Sequence, residues 1–92
     1  MKFVLLINMK ENGFLFLMIN EFSNITFPFF NARFDEDRNT LNLSIARNEF
    51  TKALQKNRRC RIEFGFEKTL EAEIRSMTDD NGDMVLLCTL IH

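Results

Sequence analysis

Few side chains in this 92-residue chain could carry covalent or acid–base chemistry. The only histidine is His92, the last residue. Terminal side chains fray, so a Ser–His or Cys–His nucleophilic pair built on it would lack the fixed geometry such chemistry needs. Cys60 and Cys88 are the only cysteines, and zinc sites want several Cys and His at paired spacings. Gly13, Gly65 and Gly82 are isolated, so no glycine loop cradles a phosphate. The run Asp79-Asp80-Asn81-Gly82-Asp83 offers oxygen ligands, but it lacks the twelve-residue spacing and closing Glu of an EF-hand, and reads as an acidic turn. Glu71 and Glu73 fall on one side of an alternating strand, as do Arg61 and Glu63, where general acid–base work is conceivable. A solvated strand face accounts for both pairs. The expectation is a protein that is not an enzyme and uses no cofactor or metal.

Charge is the more informative signal. Twelve Lys and Arg against thirteen Asp and Glu leave a net charge of −1, yet the charges are segregated. Residues 47–61 hold Arg47, Lys52, Lys56, Arg58, Arg59 and Arg61 with only Glu49 opposing them, a block of +5. Residues 62–92 hold seven acidic groups against Lys68 and Arg75, a block of −5. Three readings follow: facing surfaces that neutralise each other weakly, a phosphate-binding corner at Lys52, Lys56, Arg58, Arg59 and Arg61, or a dipolar surface that steers a protein partner or a second copy.

These groups must be positioned by a chain that makes one domain, residues 1–92. Its 46% hydrophobic content is ordinary for a globular protein, but eleven Phe with no Tyr or Trp is not. Phe suits a dry core, and a surplus of it suits an apolar patch meant for a partner. The two cysteines read as reduced, buried, small hydrophobes, with one bridge geometrically open to them. The apolar run Phe3–Ile7 is too short for a signal peptide, and no stretch approaches the ~20 apolar residues of a membrane span. A cytoplasmic protein with no membrane partner is the expectation.

The pattern predicts an α+β fold. Residues 2–22 read as a β-hairpin about Asn12-Gly13, whose type I′ turn would set Met9 opposite Phe16. Ser23–Phe30 is expected as an edge strand or crossing segment because of Pro28. Leu41, Leu43 and Ile45 alternate as a strand. An amphipathic helix is expected over 45–57, capped by Ser44, with Ala46, Phe50, Ala53, Leu54 and Asn57 on one stripe. Cys60, Ile62, Phe64 and Phe66 then share an inner face, followed by Leu70, Ala72 and Ile74, a turn at Asn81-Gly82, and a central strand over 84–91. The result is a mostly antiparallel sheet of six to seven strands, in the order β-β-β-β-α-β-β-β, with one helix.

One such helix cannot cover both faces of that sheet. A second layer, closure of the sheet, or a second chain must do so. The expected function is therefore a small protein-interaction module of accessory, inhibitor or immunity type, self-associating as a homodimer through Phe3, Leu5, Phe14, Phe16 and Met18. The alternative is nucleic-acid binding through the basic corner.

Overall fold

The structure is a computed structural model that describes residues 12–64 and 68–91. Six strands form a closed antiparallel barrel: β1 (Gly13–Asn20), β2 (Ser23–Asp35), β3 (Thr40–Ala46), β4 (Arg59–Phe64), β5 (Lys68–Asp80) and β6 (Asp83–Ile91). Around the barrel the order is β1-β2-β3-β6-β5-β4. Two three-strand meanders are thus joined side to side, by β3 against β6 and by β1 against β4. Closure is the solution that leaves no sheet edge to cover.

Each strand alternates, and the inward set fills the barrel. Leu15, Leu17, Phe27, Leu41, Leu43, Ile45, Ile62, Ile74 and Leu86 are fully buried. Phe29 and Phe64 meet edge to face, with ring centroids 5.4 Å apart, a geometry favoured by the ring quadrupoles. Cys60 and Cys88 are free and buried in the same core. A hydrogen bond between the two thiols, then burial, pushes the Cys88 thiol far above its ordinary range.

The α+β expectation is overturned: the chain is all-β among the described residues, and the helix over 45–57 does not form. Its first residues belong to β3, where Ile45 faces the core and Ala46 pairs with Asp83. The rest is loop around a single 3-10 turn, Thr51–Ala53. The local chemistry explains this. Asn48 Oδ1 accepts a 2.7 Å hydrogen bond from the Phe50 amide, and Asn57 takes φ of 70°; both compete with helix. Leu54 is buried while Ala46 and Phe50 are exposed, so the supposed stripe is not one face.

The hairpin expectation also fails at its turn. Gly13 is a strand residue paired with Phe29 on one side and Phe64 on the other, and it lacks the positive φ that a type I′ turn needs. From Gly13 to Leu17 both edges of β1 are taken by β2 and β4, so Phe16 sits opposite Thr26 and Arg61 rather than Met9. The other expected strand, Phe3–Ile7, lies outside the described residues. Gly13 is needed for closeness, because an added Cβ would collide with the Glu63 carbonyl oxygen and the Phe29 ring.

The second meander matches its pattern. Cys60, Ile62 and Phe64 point inward, as do Ala72 and Ile74; Phe66 lies outside the described residues. Asn81 and Gly82, with φ of 50° and 91°, make the β5–β6 turn. β6 is central, between β3 and β5.

Candidate functional site

Alternation and two bulges decide which side chains the barrel cannot hold. Along β2, Phe27 and Phe29 point inward, but the next inward residues are Ala32 and Phe34. The register against β3 slips between Phe29 and Asn31, and the extra residue leaves Asn31 outside beside Phe30, which alternation already turns outward. In β1 the register against β2 slips between Met18 and Asn20, so Met18 and Ile19 are both exposed.

Together with the outward residues of β1 this produces an apolar stripe. Phe14 and Phe16 stand two apart on the outer face, ring centroids 6.3 Å from one another. Phe14 is 48% exposed and Met18 42%, with Phe16 half-buried. At one end Phe22 projects from the β1–β2 turn, 91% exposed. That turn is held by Asn20 Oδ1, which accepts from the Phe22 amide at 2.8 Å and from the Ser23 hydroxyl at 3.2 Å. At the other end the stripe opens into a cleft of about 720 Å³, walled by Gly13, Phe14, Phe27, Pro28, Phe29, Phe30 and Phe64, with Asn12, Ala46, Asn48 and Glu63 completing it. Its size suits a small apolar occupant, since binding pockets run ~300–1,000 Å³.

The expected self-association residues Phe14, Phe16 and Met18 are therefore on one outer face. Phe3 and Leu5 lie outside the described residues. Ile19, Phe22, Pro28 and Phe30 were missed by sequence reasoning. Adjacent Phe29-Phe30 in a strand was the available signal, because neighbouring strand residues cannot both point inward.

The basic corner is dispersed rather than focused. Arg61 Nε donates to Glu71 Oε2 at 3.1 Å across β4 and β5. Arg59 stands opposite Glu73 in the ladder, and Glu73 itself pairs with Arg75 at 2.9 Å. Arg75 Nε also donates to Thr89 Oγ1 at 3.1 Å. Arg47 pairs with Asp79 at the far end of β5. Arg58 Nη2 donates to the Met18 carbonyl at 2.9 Å, tying the loop before β4 to the stripe. Lys52, Lys56 and Arg59 make no ion pair among the described residues. The +5 and −5 blocks thus meet through two pairs, Arg47 with Asp79 and Arg61 with Glu71.

Among the described residues, no group of three or more His, Cys, Asp or Glu is placed to hold a metal ion. No described helix is long and apolar enough to cross a membrane. Compared with known proteins, the chain matches no family model, no curated protein and no solved structure.

Proposed function

We propose that this chain is a small, non-enzymatic protein-interaction module that self-associates through the outer face of β1. The single observation behind this reading is the apolar stripe of Phe14, Phe16 and Met18, continued by Ile19, Phe22 and Phe30. With aromatic side chains carrying ~150–250 Å² each, half-exposed rings along this stripe leave roughly 500 Å² of apolar surface in water. That lies at the upper end of the ~300–600 Å² largest patch of ordinary monomers. It falls below the ~800 Å² that each partner contributes to a standard interface, which makes the association a weak one. Arg61 and Arg75 on β4 and β5 are engaged in internal pairs, so the apolar stripe drives the contact. Sedimentation at micromolar concentration tests it: a dimer is expected, and a strict monomer there would count against the reading.

One observation favours a second reading. Half-buried Phe16 lies directly beside Arg61 on adjacent strands, and a ring next to a cation is how single-stranded nucleic acid is stacked and neutralised. In that reading Lys52, Lys56, Arg58, Arg59 and Arg61 contact phosphates, and binding of a single-stranded oligonucleotide falls steeply with salt. Absence of binding at ~50 mM salt, where such contacts are strong, removes it.

A further inference from the structure

We propose that the β1–β2 end of the barrel docks peripherally on an anionic lipid surface, inserting Phe22 among the headgroups. Three apolar side chains crowd that end. Glu21 and Phe22 form a two-residue turn between Asn20 and Ser23, which pair across the hairpin. Phe22 is the most exposed of the large apolar residues described, and Met18 and Ile19 lie just behind it, both exposed beside the β1 bulge. The hydrogen bonds to Asn20 Oδ1 fix the turn, so the ring is held out in water. A ring so placed is costly, and no contact within the barrel offsets it.

Cations surround this apolar point. Arg58 Nη2 donates to the Met18 carbonyl at 2.9 Å. β4 begins at Arg59, one residue before the Cys60 that pairs with Leu17, so Arg59 lies at the level of Met18. Lys56 belongs to the turn leading into β4, closed by the Arg58 amide on the Gln55 carbonyl at 3.2 Å. None of Lys56, Arg58 and Arg59 makes an ion pair among the described residues, and Glu21 is the one acidic group in the hairpin turn. An insertable ring beside a local excess of positive charge fits an anionic bilayer, where apolar burial and attraction to headgroups add. A convex turn also suits a soft interface better than the surface of another folded protein, and Phe14, Phe16 and Phe30 remain for self-association. The contact is peripheral, because exposed Arg61 and Glu71 on the barrel wall are incompatible with the apolar outer band of a spanning barrel. The expectation of no membrane partner rests on the lack of a spanning segment, and a docked turn needs none.

The chain has no Trp or Tyr, so Phe22→Trp places a single indole at the turn of the full-length protein. The side chain is too exposed for this change to disturb folding. Alone, it should emit at the long wavelength of a hydrated indole. Vesicles of equal parts phosphatidylcholine and phosphatidylserine should move the emission to short wavelength, salt should weaken that response, and pure phosphatidylcholine should give none. In co-sedimentation with the mixed vesicles, Phe22→Ser and the double variant Lys56→Gln, Arg59→Gln should each lower binding roughly tenfold or more. An unchanged spectrum with mixed vesicles overturns the proposal, as does an equal response to pure phosphatidylcholine, which leaves the cations without a role. Short-wavelength emission without lipid also overturns it, since a second copy then covers the ring. So does a spectral response to a single-stranded oligonucleotide with none to vesicles, which assigns the turn to nucleic acid. Phe16→Ser should leave vesicle binding unchanged whatever it does to a dimer, so this inference and the self-association reading fail separately.

Discussion

The outer surfaces of β1 and of β4–β5 are built on the same backbone plan and are opposite in character. On β1, every outward residue from Phe14 to Met18 is apolar, a bulge adds Ile19 to the exposed set, and Phe30 of β2 extends it. On β4 and β5, outward Arg61 faces Glu71 and Arg59 faces Glu73. The charged face largely satisfies itself: Arg61 pairs with Glu71 and Arg75 with Glu73 within one molecule, each exposed pair contributing ~0–1 kcal/mol, while Arg59 makes no ion pair among the described residues. The apolar face cannot, because a ring in water gains nothing from its neighbour on the same strand until something covers both. A surface whose groups are already paired has little left to offer a partner, and an uncovered apolar one has a great deal.

The comparison can be broken first at the core beneath the stripe. Phe29 and Phe64 support the β1 face from inside, and Phe29→Ala should cost ~3–5 kcal/mol of stability, read from denaturant unfolding. A loss under ~1 kcal/mol would show that the ring pair does not hold that end of the barrel. Gly13→Ala comes next. The collision with the Glu63 carbonyl and the Phe29 ring should cost ~1–3 kcal/mol, and full stability in that variant would mean β1 and β4 sit farther apart than described.

Changes on the two outer faces sharpen the contrast. Phe16→Ser should weaken self-association by tenfold or more, as removal of a contact worth over ~1.4 kcal/mol does, with stability altered by less than ~0.5 kcal/mol. Arg61→Ala, on the charged face, should leave the association constant unchanged and cost ~0.2–1 kcal/mol of stability. If Arg61→Ala weakens association more than Phe16→Ser does, the roles of the two faces are reversed. The smallest effect concerns pH. The Cys88 thiol stays protonated in the fold while an unfolded one ionises near 9.0. Its contribution is therefore complete below pH ~8 and declines by up to ~1.4 kcal/mol per unit above pH ~9. Alkaline unfolding curves of Cys88→Ala against the parent should converge as pH rises, and a constant difference would remove the thiol pair from the account.

Much of the second half of the barrel was legible in the residues. Cys60, Ile62 and Phe64 alternate cleanly with Arg59, Arg61 and Glu63, and Asn81-Gly82 supplies the two positive φ angles of a tight turn. Local pattern suffices where both strands of a hairpin show it. The first half was harder for three physical reasons. Barrel closure pairs Leu17 with Cys60 and Leu41 with Cys88, contacts that no local signal encodes. Bulges in β1 and β2 change the inward phase without changing the sequence pattern, which hid the exposure of Ile19 and Asn31. Residues 45–57 carry apolar positions at helical spacing, but Ile45 gains more by filling the barrel than a short helix could return, since isolated helices of this length are marginal. The basic residues form a block along the chain but not in space, and the partners of Arg61 and Arg47 on β5 follow only from the register.

Sedimentation velocity on the parent chain and on Phe16→Ser, side by side across micromolar concentrations, probes the β1 face most directly. A reversible dimer in the parent that dissociates to a folded monomer in the variant is the expected outcome. A parent that remains monomeric throughout, or a dimer that the serine leaves intact, would contradict the assignment of that face as the contact surface.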